Sequence, residues 1–275
     1  MKKIFFTLIL LLSTLNARDG YGYALFGIGG QSATYHEVFR AADGSEIAMS
    51  GTIDSPYYYT GTGVKFNELI DFSLSGSSTL YANSTDDANI DFPFKDVDHS
   101  MDLMNSDLMF YTHYKWTQKQ HLLLGVGYSN ETIKRFLFQD TALPTNTILE
   151  TNTISGNVEV GYLYTRDPRI GKLGWNYMFG LMVGMPVFTS VTQIYSEKLD
   201  EEEQFLSSTY GFSLKPTFYI GYRIFEGFDL AVSVDYYYRV RFDDTKIVYN
   251  SENYTGENSI LERYRSGVFA IWNFD

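Results

Sequence analysis

The chain of 275 residues has no cysteine, which excludes a cysteine-linked lipid anchor, a disulfide framework and thiolate chemistry. It is also poor in positive charge. Lys and Arg number 21 against 33 Asp and Glu, for a formal charge of −12, so a nucleic-acid partner, whose phosphates require a basic face, is not expected. There are four histidines, His36, His99, His113 and His121, and they form no paired-histidine zinc motif; G-x-S-x-G and P-loop patterns are missing too. No resident metal or cofactor is expected. Past the first segment, no apolar run approaches the roughly 18 residues of a membrane-spanning helix. The longest, Leu181 to Phe188, is interrupted by Gly184 and Pro186. A chain of this kind could span a bilayer only as a closed barrel, which satisfies its backbone internally.

What is present begins with a secretory pattern. Lys2 and Lys3 are followed by the apolar Ile4 to Leu12 and by the small-residue exit Leu15-Asn16-Ala17. Residues 1–17 read as a cleaved signal peptide, and 18–275 as one domain. Loss of the two lysines leaves 19 basic residues against 33 acidic ones and a charge of −14. Aromatic residues are abundant at 17 %, with 23 Tyr and 21 Phe. An exported acidic chain so rich in rings suits a wall that meets lipid through aromatic girdles.

Alternation is clearest from Asp229 to Phe242. Leu230, Val232, Val234, Tyr236, Tyr238, Val240 and Phe242 alternate there with a polar set ending in Arg239 and Arg241. This period of two marks a strand with one apolar and one polar face. The pattern recurs along Trp175 to Val187 and Phe212 to Ile224. Strands are expected at 21–33, 57–66, 69–82, 106–116, 120–137, 150–165, 173–193, 206–224, 228–243 and 260–274. Short connectors, such as Glu226-Gly227, alternate with long ones near 34–56, 83–105, 138–149, 194–205 and 244–259. The expected fold is thus an all-β, antiparallel, up-and-down transmembrane barrel of about ten strands, with eight or twelve as alternatives. Both termini fall on the short-turn, periplasmic side. Several strands exceed the span of a bilayer and should continue above it as hairpins. Tyr57-Tyr58-Tyr59 and Tyr236-Tyr237-Tyr238 are expected near the outer strand ends.

On this pattern the chain resembles the small Gram-negative outer-membrane barrels, of which the opacity-protein-like and ten-stranded omptin-like families are nearest in size. The resemblance is architectural and covers nearly all of 18–275. The last strand, Ser266 to Phe274, looks like the assembly signal of such barrels, except that Asp275 follows the aromatic. The resemblance implies the cell outer membrane, with lipid, lipopolysaccharide and the barrel-assembly machinery as partners. The omptin-like proteases use an Asp pair and an Asp-His pair at the external mouth. Asp96-Val97-Asp98 is similar to the first pair, but the loop at 194–205 has no histidine.

By parity, Lys65, Asp71, Lys115, Glu131, Glu159, Lys215, Arg223, Asp229, Asp235, Arg239, Arg241, Arg263 and Arg265 share the polar, inward face. The sharpest cluster is Arg239, Arg241, Arg263 and Arg265, expected on adjacent strands at the external mouth, with Asp235, Lys215 and Arg223 in the same lumen. Guanidinium groups bind phosphates and carboxylates bidentately, so one reading is an anion site. The other is an internal salt-bridge network with Asp235, Glu262 and the acidic loop. The acidic stretches at Glu197 to Glu203 and Asp86 to Asp102 lack a calcium-loop pattern and read as solvated loops. The expected function is a non-enzymatic surface or structural component, or a narrow channel, with a lumen too full for a general porin. Binding of a ligand, host surface or anionic lipid is the alternative, and an omptin-like hydrolase the third.

Overall fold

The period of two is realised as long strands that close on themselves. The computed structural model describes residues 22–81, 84–92, 95–137, 147–166, 173–195, 202–207, 210–242, 246–249 and 252–274; the expected signal peptide lies outside them. Among the described residues there is no helix. The elements are β1 Gly22–Ala41, β2 Glu46–Lys65, β3 Ile70–Thr79, β4 Ser84–Phe92, β5 Lys95–Lys115, β6 Gln120–Leu137, β7 Thr147–Arg166, β8 Gly174–Tyr195, β9 Glu202–Ser207, β10 Tyr210–Phe225, β11 Phe228–Phe242, β12 Lys246–Tyr249 and β13 Glu252–Phe274. β4, β9 and β12 prolong β3, β10 and β11, so the wall has ten staves, each antiparallel to its neighbours. β1 pairs with β2 on one side and β13 on the other, from Gly22↔Phe274 to Ala41↔Tyr254, and this closes the barrel.

One end carries the tight connections. Gly227 takes φ +78° between the paired and stacked Phe225 and Phe228, and a left-handed backbone is what glycine tolerates. The Asn67 carboxamide accepts from the Leu69 and Ile70 amides at 2.8 Å each. Thr117 Oγ1 accepts from the Lys119 and Gln120 amides at 3.2 and 3.0 Å. We call this the turn end, and the opposite one the hairpin end. At the hairpin end the β1–β2 turn is also short: Asp43 accepts from the Ser45 amide and hydroxyl at 2.9 and 2.7 Å, bonds that lower its carboxyl pKa.

The expected long connectors at 34–56 and 83–105 are largely strand. β1 and β2 run on to a turn at 42–45, and β4 and β5 occupy most of 84–115. Consequently Tyr57-Tyr58-Tyr59 lies mid-strand, with Tyr57 and Tyr59 pointing inward, rather than at a strand end. These segments lack the expected signature because their apolar residues change faces. In the turn-end half, outward positions are apolar and exposed: Phe26 and Ile28 on β1, Leu122, Leu124 and Val126 on β6, Phe179 to Met185 in alternation on β8. In the hairpin-end half, the inward positions are apolar and buried: Ala33 and Tyr35 on β1, Ile53 on β2, Met101 and Leu103 on β5, Ile133 on β6 and Leu261 on β13. The outward positions there are polar, including Asp54, the Arg40–Glu46 pair and the Lys134–Glu150 pair. Parity never changes along β1, β5 or β6, but which parity is greasy does.

Aromatic residues gather at the limits of the apolar belt. Trp116 and Trp175 are 69 % and 65 % exposed at the turn end, where Trp175 packs edge-on to Tyr222 and Phe228 to Trp272. Where the pattern inverts, Tyr236 and Tyr264 face each other across β11 and β13 with ring centroids 4.6 Å apart.

The closing seam depends on a missing side chain. A Cβ on Gly29 would fall 2.1 Å from Ser266 O and 2.7 Å from Gly267 Cα, backbone atoms that cannot swing away, whereas one on Gly30 meets nothing within 4 Å. Gly29→Ala should therefore cost about 1–3 kcal/mol, as overpacking does. Gly30→Ala should be nearly neutral, and urea unfolding of the two refolded variants checks the difference.

Candidate functional site

The lumen holds the candidate functional groups in tiers. Towards the hairpin end, the buried apolar cluster around Tyr35, Leu103 and Leu261 packs inside the lumen. Arg135, fully buried, pairs with Glu37 and donates to Thr151 Oγ1 at 2.9 Å, with Tyr35 stacked 5.6 Å from its guanidinium carbon. Just below, Arg239 reaches across the lumen to Glu131 in a bidentate pair at 2.9 and 3.0 Å. Two fork-to-carboxylate bonds of this kind fix both partners in orientation.

The middle tier is built on Asp107. Arg263 and Arg265 both approach its Oδ2, at 3.0 and 3.5 Å. Arg265 also donates to Gln31 Oε1 at 3.0 Å and Ser77 Oγ at 2.8 Å. Gln31 passes the network on to Ser55 and Thr79 at 2.9 and 3.1 Å. Tyr237 and Tyr57 lie flat under Arg263 and Arg265, 4.8 and 5.0 Å from ring centroid to guanidinium carbon. Lys215 also faces Asp107, and Asp235 stands directly opposite Arg265 on the neighbouring strand. Charges withdrawn from water in this way are tolerable only with such partners.

Towards the turn end the tiers loosen. Tyr111 donates to Glu159 at 2.5 Å, Lys115 pairs with Asp71 at 2.7 Å, and Arg223 clasps Asp229 at 2.7 and 3.2 Å with Asn176 as a further donor. Ser73 Oγ and His113 Nε2 are 2.7 Å apart. Among these groups lies a cavity of about 470 Å³.

The seven residues singled out from the sequence therefore do not form one site. Arg263, Arg265, Lys215 and Asp235 share the middle tier, Arg239 and the more deeply buried Arg241 lie nearer the hairpin end, and Arg223 is far away at the turn end. The four arginines of the cluster do not converge on an open mouth. Arg239, Arg263 and Arg265 pair with Glu131 and Asp107 on the far wall; Asp235 stands opposite Arg265, Glu262 has the outward parity of Tyr264, and the acidic loop lies outside the described residues. Asp107, Glu37 and Arg135 went unrecognised in the sequence. Asp107 and Arg135 carry the same inward parity as Lys115 and Glu131 and were legible by that rule, whereas Glu37 fell in a segment read as loop. The side chains of Asp96, Asp98 and His99, and those of Glu197 to Glu203, lie outside the described residues. Among the described residues, no three His, Asp or Glu side chains are grouped as metal ligands.

No protein-family model and no curated protein matches the chain. Solved structures do. The outer-membrane protease OmpT of Escherichia coli superposes with a TM-score of 0.54 at 10 % identity, over 94 % of this chain and 98 % of that one. The translocator domain of the autotransporter NalP of Neisseria meningitidis gives 0.41 at 8 %, over 99 % and 96 %. The toluene transporter TodX of Pseudomonas putida gives 0.34 at 10 %, over 94 % and 91 %. The likeness is one of architecture: these are Gram-negative outer-membrane β-barrels, and the present chain is an antiparallel barrel of ten staves.

Asp107 carries more of the lumen than any other acid, and its removal strands two buried guanidinium groups. Asp107→Ala should cost about 3–5 kcal/mol, the range for breaking a buried pair. Glu46→Ala, which breaks only an exposed pair at the hairpin end, should change stability by no more than about 1 kcal/mol. Denaturant unfolding of the refolded barrels measures both.

Proposed function

We propose that the chain is an outer-membrane barrel with a closed lumen, a non-enzymatic surface component that carries its hairpins beyond the bilayer and does not conduct solutes. The observation that carries the placement is the inversion of the greasy face. Strands that expose Leu, Val and Phe over one half and bury them over the other meet two solvents, lipid around the turn end and water around the hairpin end. An exposed apolar band about 25 Å tall, flanked by aromatic girdles, is what this class of barrel presents to lipid. The aromatic pair Tyr236–Tyr264 and the tryptophans Trp116 and Trp175 stand at its two limits. On this reading lipid and lipopolysaccharide contact the belt, and the assembly machinery recognises β13.

The packed tier of Tyr35, Ile53, Met101, Leu103, Ile133 and Leu261 supports a closed lumen, since none is more than 1 % exposed. The arginine tiers support an internal scaffold over an anion site: Arg239, Arg263 and Arg265 have their carboxylates already in place. Hydrolysis is disfavoured by the surroundings of the Ser73–His113 contact. The backbone N–H groups flanking Ser73 belong to the β2–β3–β5 ladders, which removes the donors an oxyanion hole would need.

Two measurements test this reading. Val183→Lys, in the belt on β8, should cost about 2–4 kcal/mol in vesicle-embedded protein. Ser190→Lys, outward on the same strand past the inversion, should stay within about 0.5 kcal/mol; equal costs would remove the lipid boundary. Refolded protein in planar bilayers should show no discrete current steps, and reproducible single-channel steps would replace the closed lumen with a channel.

A further inference from the structure

The turn-end half of the lumen is not filled. The 470 Å³ cavity is continued inward by a recess of about 170 Å³, and both are walled by Tyr23, Leu25, Tyr59, Leu163, Met178 and Ile271. The recess ends at Lys215 and Asp235 of the middle tier. We propose that this vestibule binds an uncharged amphipathic small molecule, entered from the turn end, with an apolar body in the recess and a hydrogen-bonding head at His121.

Four observations converge on that ligand class. The volume falls in the range of small-molecule sites, and the walls are mainly aliphatic, aromatic and thioether. The charges around the opening cancel: Lys115 is paired with Asp71, Asp229 with Arg223, and Lys65 is balanced by Glu68. Lys215 and Asp235 likewise offset each other at the far end, and the nearby Glu159 carboxylate is held by the Tyr111 hydroxyl, so the lining side chains carry no net charge to select an ion. Both ring nitrogens of His121 are enclosed beside the Gln118 backbone with no side-chain partner, and the residue, only 7 % exposed, lines the vestibule, so a turn of the imidazole would present a nitrogen to the cavity. An imidazole in its neutral form offers one donor and one acceptor, and a hydroxyl or amide-like N–H group on the ligand would meet the nitrogen so presented. Asp235 Oδ1 is a second buried acceptor without a partner. Methionines add to the fit, since flexible thioethers adapt to more than one ring shape.

The absence of cysteine makes the test clean, because one introduced thiol reports one place. Ser75→Cys sets a thiol in the recess wall. With the barrel in lipid nanodiscs, N-ethylmaleimide should modify it. Indole, uncharged and bearing one N–H, should slow the modification roughly tenfold once its concentration is about ten times its Kd, as mass action requires. Indole-3-carboxylate at the same concentration should protect far less, and His121→Phe should weaken the indole effect by about tenfold, the loss of one buried hydrogen bond. Ser233→Cys, across the recess, repeats the measurement if the first variant does not refold. A thiol that never reacts, one that reacts equally with and without indole, or equal protection by the anion would each overturn the proposal. The result is independent of bilayer conductance, so failure here and failure of the closed lumen are separately visible.

Discussion

Every residue of a barrel stave faces either the lumen or the surroundings, and the wall must suit what lies on each side at each height. That constraint organises this molecule. With the wall closed by β1 against β13, the strands' ladder donors and acceptors find partners, so the backbone makes no demand on its environment. Side chains are then left to answer to solvent alone. Around the turn end they present Phe, Leu and Val outward; around the hairpin end the same parity brings Tyr35, Leu103 and Leu261 together inside. On the proposed reading the lower half suits lipid and the upper half water, on continuous strands.

The lumen chemistry follows from this division. Apolar residues spent on the outer belt are not available to fill the turn-end lumen, so polar and charged groups occupy the middle. There each guanidinium needs a carboxylate close by, and Asp107, Glu131 and Glu37 supply them from strands on the opposite wall. Where the belt ends, apolar residues return to the interior and pack together. The vestibule is the remaining volume, below the charged tier and above the turns, too wide for the small residues Gly61, Ser75 and Thr217 to fill. A barrel of about eight strands is filled by its own side chains, and ten staves leave this much over.

Much of the fold was legible because a strand's period of two is local. Leu230 to Phe242 and Trp175 to Val187 announce one exposed greasy face, and the count of ten and the inward parity of the thirteen charges follow from that rule. The reach of β1, β2 and β5 was not legible. Apolar residues there, such as Phe39, Ile47 and Met101, sit on the opposite parity among polar neighbours, and a pattern read for one lipid-facing side passes over them. The candidate site was legible only as a set of inward charges. Parity places Arg239 and Arg263 in the lumen but says nothing of the strand across it.

What the sequence determined by itself is therefore the class of element and the side each residue faces, because alternation along a pleated strand requires no knowledge of any other strand. What only the tertiary structure decided is the pairing across the lumen: Arg239 with Glu131, 108 positions away, and Arg263 with Asp107, 156 away. Those partners are set by barrel closure and stagger, which bring distant strands to the same height. The packed tier at Tyr35 and the open vestibule at His121 were decided in the same way, since both depend on the sum of side-chain volumes from the whole ring of strands.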